Sequence, residues 1–398
     1  MLALKILVVM ISNVLDKRAN TKPVFTAGGE KRLVEVLRHF IRFGHEVTVL
    51  TTKDSSLVFE AERLKVNMII VGSLIEKTQL GNIGVVLNYL HRSLNTFRVR
   101  KRSKGNFDAI IAATALLPDV LACLLFLSKY CRVNGFIYLH HIFNVIHPNI
   151  KTDFSKKARL LLFTSLSVLQ QRLVIKLVKK YKIVVFALPI TAMMLSKMLD
   201  KECIRTVENG VNLELARRAQ PICSFEGIYV GRLSAKKGAY DLIDIWRRVC
   251  DKVEHAQLAI VGSIEDSLIF KKMKAVNLDQ NITFYETVNE TKKFELMKSA
   301  KVFLFPSHEE GWGIAVSEAL ACEIPVVVYD LPAYSYAGNS IIKVRKGNTA
   351  AFAREVIQLL FDEEARKALS VNAHKKVKDW SDIARDEIAM MTQELVVG

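Results

Sequence analysis

Short, largely apolar runs, each followed by a longer stretch with helical spacing, recur along this chain. In the first half they are KILVVM (5–10), VTVLTT (47–52), MIIVG (68–72), DAIIAA (108–113) and FIYLHH (136–141). A strand with one wet face alternates apolar and polar side chains. A strand that is apolar throughout is buried on both faces, which is the situation in a parallel sheet covered by helices on both sides. The stretch between the first two runs, residues 28–43, places Leu33, Val36, Leu37 and Phe40 on one face, the spacing of a helix lying on such a sheet. Gly44-His45-Glu46 then turns into the next strand.

The alternation restarts near residue 225. GIYVG (227–231), QLAIVGS (257–263), ITFYE (282–286), VFLFPS (302–307) and IPVVVYD (324–330) read as strands, with a helix over 238–252 and helical segments between the others. A chain of 398 residues exceeds one ordinary core. Two Rossmann-like α/β/α domains are therefore expected, residues 1–205 and 206–379. The terminal helix, about 380–398, is a candidate to pack back on the first. The most membrane-like stretch, 109–127, is broken by Pro118 and Asp119. It reads as a strand, a turn and a buried helix, short of the roughly 20 apolar residues a span needs. The apolar run at the start lacks a small-residue cleavage site and reads as a strand.

Charge narrows the partners. The net charge of +17 attracts anions, whether phosphorylated substrates, an acidic membrane or nucleic acid. Residues 151–182 hold nine Lys/Arg and one acid, Asp153, and residues 92–104 hold six bases and no acid. Such apolar-striped basic segments suit an anionic membrane surface, and equally a solvated helix face. No helix-turn-helix, zinc finger or aromatic RNA-binding motif accompanies them. The six cysteines form no CxxC pair. Cys123, Cys223, Cys250 and Cys322 sit in or beside apolar runs, as buried free thiols do.

Two segments carry chemistry. In PSHEEGWGIAVSEALACEIPVVV (306–328), a strand runs into an acidic turn containing Gly311 and Gly313, and a helix opens. Glycines let a ligand approach the backbone, and free N–H groups at a helix start favour phosphate. Glu310 and Glu318 are eight residues apart, about 12 Å along a continuous helix. That span lets one carboxylate reach the sugar and the other the ribose of a nucleotide-sugar. The second segment, Gly231-Arg232-Leu233-Ser234-Ala235-Lys236-Lys237-Gly238, directly follows a strand, where ligands bind in open α/β sheets. Arg232 offers a planar fork to phosphate oxygens and Lys237 a point charge.

Together these segments resemble the GT-B fold glycosyltransferases, specifically the retaining family 4 group (glycosyl transferases group 1). Glu310, Glu318 and Pro325 match that family's Glu-x7-Glu motif and following Pro. Gly231 to Gly238 is similar to its Gly-Arg-Leu-x3-Lys-Gly diphosphate loop. Asn209-Gly210-Val211-Asn212 resembles the entry to its second domain, and Val261-Gly262-Ser263 its Val-Gly-x-Gly turn without the second Gly. Gly28-Gly29 and the helix and strand after them resemble its first loop region. Two departures stand out: Glu323 replaces a usual Gly, and residues 330–338 lack Gly-Gly-x-x-Glu.

The resemblance implies two domains facing across a cleft. It implies a retaining transfer of a hexose from a nucleotide-diphosphate sugar to an acceptor, a candidate being a lipid-linked or cell-surface glycan precursor. Glu310, His140, Arg232 and Lys237 would be catalytic. Donor contacts would come from Arg232, Lys237, Glu310, Gly311, Trp312, Gly313, Ile314, Glu318, Gly262 and Asn209. Gly28, Gly29 and His141 would lie on the acceptor side. No cofactor or metal is expected, and the chain has no Asp-x-Asp. A metal set of His140, His141 and His147 lacks ordinary zinc spacing. The expected location is cytoplasmic, with peripheral attachment to the cytoplasmic membrane face as an option.

Three alternatives stay open on the residues alone. A glycoside hydrolase would use Glu310 and Glu318 as its carboxylate pair, but leaves the phosphate loop without a role. A basic nucleic-acid- or membrane-binding protein would explain the charge without catalysis. A dinucleotide enzyme would need Gly-x-Gly-x-x-Gly after the first strand, where Val9-Met10-Ile11-Ser12 stands instead.

Overall fold

The strands of the computed structural model form two parallel sheets. The structure describes residues 3–12, 28–72, 81–102, 105–130, 133–139, 154–265 and 268–397. His140, His141 and His147 lie outside them. The chain divides into two units, Met1–Glu208 with Ser381–Gly398, and Asn209–Trp380.

The first unit contains β1 (Lys5–Met10), β2 (Glu46–Thr51), β3 (Asn67–Ile70), β4 (Ala109–Ala112), β5 (Asn134–Leu139), β6 (Val184–Ala187) and β7 (Ile204–Thr206). Their order is β3-β2-β1-β4-β5-β6-β7, every pair parallel. Strands β4 and β6 are buried at every position. That is the physical outcome of apolar runs covered on both faces. The stretch 109–127 resolves into β4, a turn and the helix Leu117–Leu127. No described helix is long and apolar enough to cross a membrane.

The helix Trp380–Val397 begins in the second unit, and from Ser381 onward it packs on the first. Its Glu387 is buried and accepts hydrogen bonds from both Arg32 and Tyr138, themselves buried. Further along, Glu394 pairs with Arg205, and its main-chain oxygen accepts from Asn134 Nδ2 at 2.6 Å.

The second unit contains β8 (Phe225–Val230), β9 (Leu258–Val261), β10 (Ile282–Tyr285), β11 (Ala300–Phe305), β12 (Val326–Tyr329) and β13 (Ile342–Val344), ordered β10-β9-β8-β11-β12-β13 and parallel throughout. In both sheets the order reverses once, between β1 and β4 and between β8 and β11. At such a reversal the connecting helices leave in opposite directions, so a crevice opens at the carboxyl ends of the two strands.

Three strands escape a reading of apolar runs. β6 stands behind the basic break Lys179-Lys180-Tyr181-Lys182, and such a reading does not separate it from the long helix Phe154–Tyr181 before it. β7 and β13 are three residues each, too short for a pattern. Cys223 corrects the expectation of burial: it is exposed. Cys250 is intermediate, and of these four Cys123 and Cys322 are buried. Burial pushes both of those thiols up to about 12.

Candidate donor site

In the second unit the reversal of strand order brings together the two segments that carry chemistry. One leaves β8 at Gly231 and the other leaves β11 at Pro306. They touch through the main chain: His308 N–H donates to Lys236 O at 2.9 Å, and Ser307 Oγ–H to the same oxygen at 3.4 Å. Two glycines permit this approach. Gly238 has φ +73°, and a Cβ there would fall 1.8 Å from Pro306 O. Gly262, at the end of β9 with φ +139°, would place one 2.2 Å from Gly231 O. Buried Tyr229 on β8 donates to Arg232 O at 3.0 Å and braces the loop from below.

Lys237 and Glu310 meet on this platform. Nζ lies 2.5 Å from Oε1, the lysine side chain 24% exposed and the glutamate 8%. The ammonium also sits 5.8 Å from the Phe305 ring centroid. Arg232 is half exposed and pairs with Glu265 at 2.5 Å. Both cations are thus held by single carboxylates, at the place where a crevice is expected to take a phosphate.

Glu318 occupies a different setting. The helix runs only from Ile314 to Ala321 and is capped by Gly313, so residues 310–313 are loop and the span to Glu318 is not two helical turns. The estimate of about 12 Å along a continuous helix therefore does not apply here. Glu318 is buried, with Oε1 2.8 Å from Lys293 Nζ. Lys293 stands on the helix Glu290–Lys298 and also reaches Glu290 at 2.7 Å.

Trp312 is buried and stacked on Tyr336, centroids 4.4 Å apart and planes 3° apart. Its Nε1–H donates to Ser317 Oγ at 3.0 Å, and that oxygen lies 2.9 Å from Tyr336 Oη. This fixes Gly311-Trp312-Gly313 against the helix. The buried Tyr334 ring packs at Gly313, where an added Cβ would meet Cε1 at 2.7 Å. Burial first, then nearby Glu310, holds its phenol well above its ordinary range. His308 pairs with Asp241 at 3.2 Å, and Tyr329 Oη–H donates to the same carboxylate at 2.5 Å. Burial works to raise the Asp241 carboxyl, but these two hydrogen bonds hold it below its usual value.

Of the other residues singled out by sequence, Ile314 is the first helical residue beyond Gly313 and is partly exposed. Asn209 is buried with no hydrogen-bond partner for Oδ1 among the described residues. The segment after it is fixed by Val211 N–H to Lys378 O at 2.9 Å. Gly28 and Gly29 open the helix Gly28–Arg42 in the first unit. No group of three or more His, Cys, Asp or Glu is placed to hold a metal among the described residues.

Sequence reasoning passed over Lys293 and Asp119. The only available signal for Lys293 is a base within the otherwise core-facing register of Phe294, Leu296 and Met297. Asp119 is wholly buried at the end of β1. It accepts from Ile11 N–H at 2.8 Å, Ser12 N–H at 2.9 Å and Thr114 Oγ1–H at 2.7 Å. Burial raises its carboxyl to about 6 against those hydrogen bonds.

Comparison with known proteins agrees with this geometry. Residues 225–376 match the family described as glycosyl transferases group 1. A capsular polysaccharide biosynthesis glycosyltransferase, CapM, of Staphylococcus aureus is 28% identical over 154 residues, 38% of this chain and 40% of its own. A phosphatidyl-myo-inositol mannosyltransferase of Mycobacterium leprae is 28% identical over 190 residues, 45% of this chain and 50% of its own. The chain thus spans half or less of the length of these curated relatives. Among solved structures, Anabaena HepE in complex with UDP and glucose superposes with a TM-score of 0.71 at 14% identity, covering 98% of this chain and 100% of that one. Sucrose-phosphate synthase of Thermosynechococcus elongatus superposes with 0.74 at 17%, covering 99% and 100%. The fold is GT-B.

Proposed function

We propose that this chain, whose residues 225–376 match the glycosyl transferases group 1, is a retaining glycosyltransferase of that family. In this reading it moves a hexose from a nucleotide-diphosphate sugar to a lipid-linked or cell-surface glycan precursor at the cytoplasmic face of a membrane. The observation that carries the donor half is the Lys237–Glu310 pair, set on two touching main-chain loops at the strand-order reversal. HepE, of the same fold, is described with UDP and glucose, and the curated relatives by name include a mannosyltransferase acting on phosphatidyl-myo-inositol.

The chemistry follows from charge. As the sugar–phosphate bond breaks, negative charge grows on the bridging oxygen. Lys237, Arg232 and the N–H groups opening the helix at Ile314 supply fixed positive charge there, which is the largest lever such a site has. A phosphate oxygen would exchange with Glu265 for Arg232 and with Glu310 for Lys237. Glu310, freed from its lysine, accepts hydrogen bonds from sugar hydroxyls, and Glu318 accepts them from the ribose. Asn209, Gly262, Gly311, Trp312 and Gly313 complete the donor contacts. His140 is assigned beside the reacting sugar, with His141, Gly28 and Gly29 on the acceptor side. These last roles rest on the family resemblance. The departing phosphate takes the acceptor's proton, and no metal is required because the side chains named already neutralise the diphosphate.

The test is a transfer assay with a panel of UDP- and GDP-sugars, with and without EDTA, and the product's anomeric configuration read by NMR. Retention with unchanged rate in EDTA is expected. Inversion, or activity that collapses on chelation, overturns the mechanism. Sugar release from a glycan without any nucleotide donor would favour the hydrolase.

A further inference from the structure

Two helices on the first unit carry a surplus of apolar side chains on the outside. They are Gly81–Arg102 and Phe154–Tyr181, and both contact the helix Leu117–Leu127. The inner face of Phe154–Tyr181 is already occupied by Val174, Ile175 and Val178, which are buried in the core. Yet Leu166, Leu169 and Leu173 point outward, Leu169 to the extent of 64%. Their spacing of three and four places them on one helical face, and the same spacing continues to Lys176 and Lys180. Arg172 and Lys179 flank that stripe and are exposed. The helix Gly81–Arg102, which packs on the same helix Leu117–Leu127, repeats the arrangement. Leu87, Leu94 and Phe97 are exposed, Leu94 to 70%, with Arg98 and Lys101 beside them. The Lys101 ammonium lies 5.1 Å from the Phe97 ring centroid.

The two helices hold five and seven basic residues and not one Asp or Glu. A helix whose outer face is merely solvated carries charges of both signs and few leucines. Phosphates of nucleic acid would reward the lysines but not the leucines, which have no base edge or sugar to fill. Leucines that enter an acyl layer, ringed by bases that reach lipid phosphates, satisfy both halves of the composition.

We propose that the outer face of these two helices docks the protein on an anionic bilayer, the leucines and Phe97 entering the interface and the Lys and Arg side chains meeting lipid headgroups. This deepens the reading of a membrane-borne acceptor and rests on it for its purpose. Its test, however, needs neither donor nor acceptor, so failure here leaves sugar transfer untouched.

The experiment is flotation of the full chain with phosphatidylcholine vesicles, with and without a one-third share of phosphatidylglycerol, across a salt series. Binding is expected only to the anionic vesicles, weakening as salt rises. K176Q/K180Q should weaken it by about 25-fold, at roughly fivefold per base. L169S/L173S should reduce it at every salt concentration, including those where the charge contribution is screened. A thermal melt and a nucleotide titration on each variant separate loss of docking from loss of fold. Equal binding to neutral vesicles, or none to anionic vesicles at low salt, overturns the proposal. So does tighter retention by a duplex oligonucleotide that the leucine substitutions leave unchanged.

Discussion

Replacing Lys293 with methionine removes one charge from a pair in which the lysine side chain is 10% exposed and its partner Glu318 5%. At 2.8 Å the gross attraction is about 6 kcal/mol for an effective dielectric near 20. Desolvation consumes much of that, but breaking such a pair from one side leaves the other charge buried alone, and the measured cost of doing so is about 3–5 kcal/mol. The exposed Glu290 contact adds little. Methionine keeps the volume of the stem, so the loss is electrostatic. All three tryptophans, Trp246, Trp312 and Trp380, lie in the second unit. Urea unfolding followed by tryptophan fluorescence therefore reports that unit. K293M should lower its stability by about 3 kcal/mol. The double variant K293M/E318M should recover most of that loss, because a fully apolar replacement leaves no charge stranded. K293R should sit near wild type. A loss under about 1 kcal/mol, or single effects that simply add in the double variant, would refute the reasoning.

Three further outcomes are expected. Asp119 is raised from its ordinary value to about 6 by burial, so the folded state binds a proton that the unfolded chain has released. Stability therefore falls as pH climbs from about 4 to 6, by the order of 2–3 kcal/mol from this group, and D119N should flatten that slope in pH-resolved denaturation. G238A forces a Cβ onto Pro306 O at a left-handed backbone position. It should cost well over 1 kcal/mol of stability and displace the Lys237 loop, seen as a lower Tm with weaker nucleotide binding. K237A removes the charge aimed at the leaving phosphate and should lower kcat by about 10²–10³-fold, as steady-state kinetics would record, and it should lower the Tm as well, because the Glu310 side chain, 8% exposed, is left without its lysine.

The sheets were legible because their central strands are buried on both faces, as β4, β6, β9 and β12 are at every position, whereas the edge strand β3 leaves Met68 and Ile70 exposed. KILVVM and IYV admit few other readings, and β8 and β11 together placed both chemical segments at strand ends. What stayed hidden depends on contacts distant in sequence. Lys293 meets a carboxylate 25 residues away, and Arg32 meets Glu387 across 355. Nothing local distinguishes either from a surface charge, apart from register. Glu387 falls in one stripe with Ile383, Ala384, Ile388 and Met391, all buried, and a lone acid in such a stripe signals a buried partner. The span of about 12 Å from Glu310 to Glu318 holds only for a continuous helix, and the helix opens at Ile314, behind glycines at 311 and 313 that favour loop. β7 and β13 carry no pattern because three residues cannot display one.

The most direct test of a nucleotide-sugar site at the β8/β11 reversal is isothermal titration of UDP, GDP and their glucose, N-acetylglucosamine and mannose conjugates into wild type and E318A. One nucleotide family should bind with micromolar affinity to wild type and at least tenfold more weakly to E318A, a loss of about 1.4 kcal/mol or more, measured at a temperature where a melt shows E318A folded, since that variant leaves Lys293 buried without its partner. Absence of binding by every member to folded wild type, or unchanged affinity in E318A, would contradict the account.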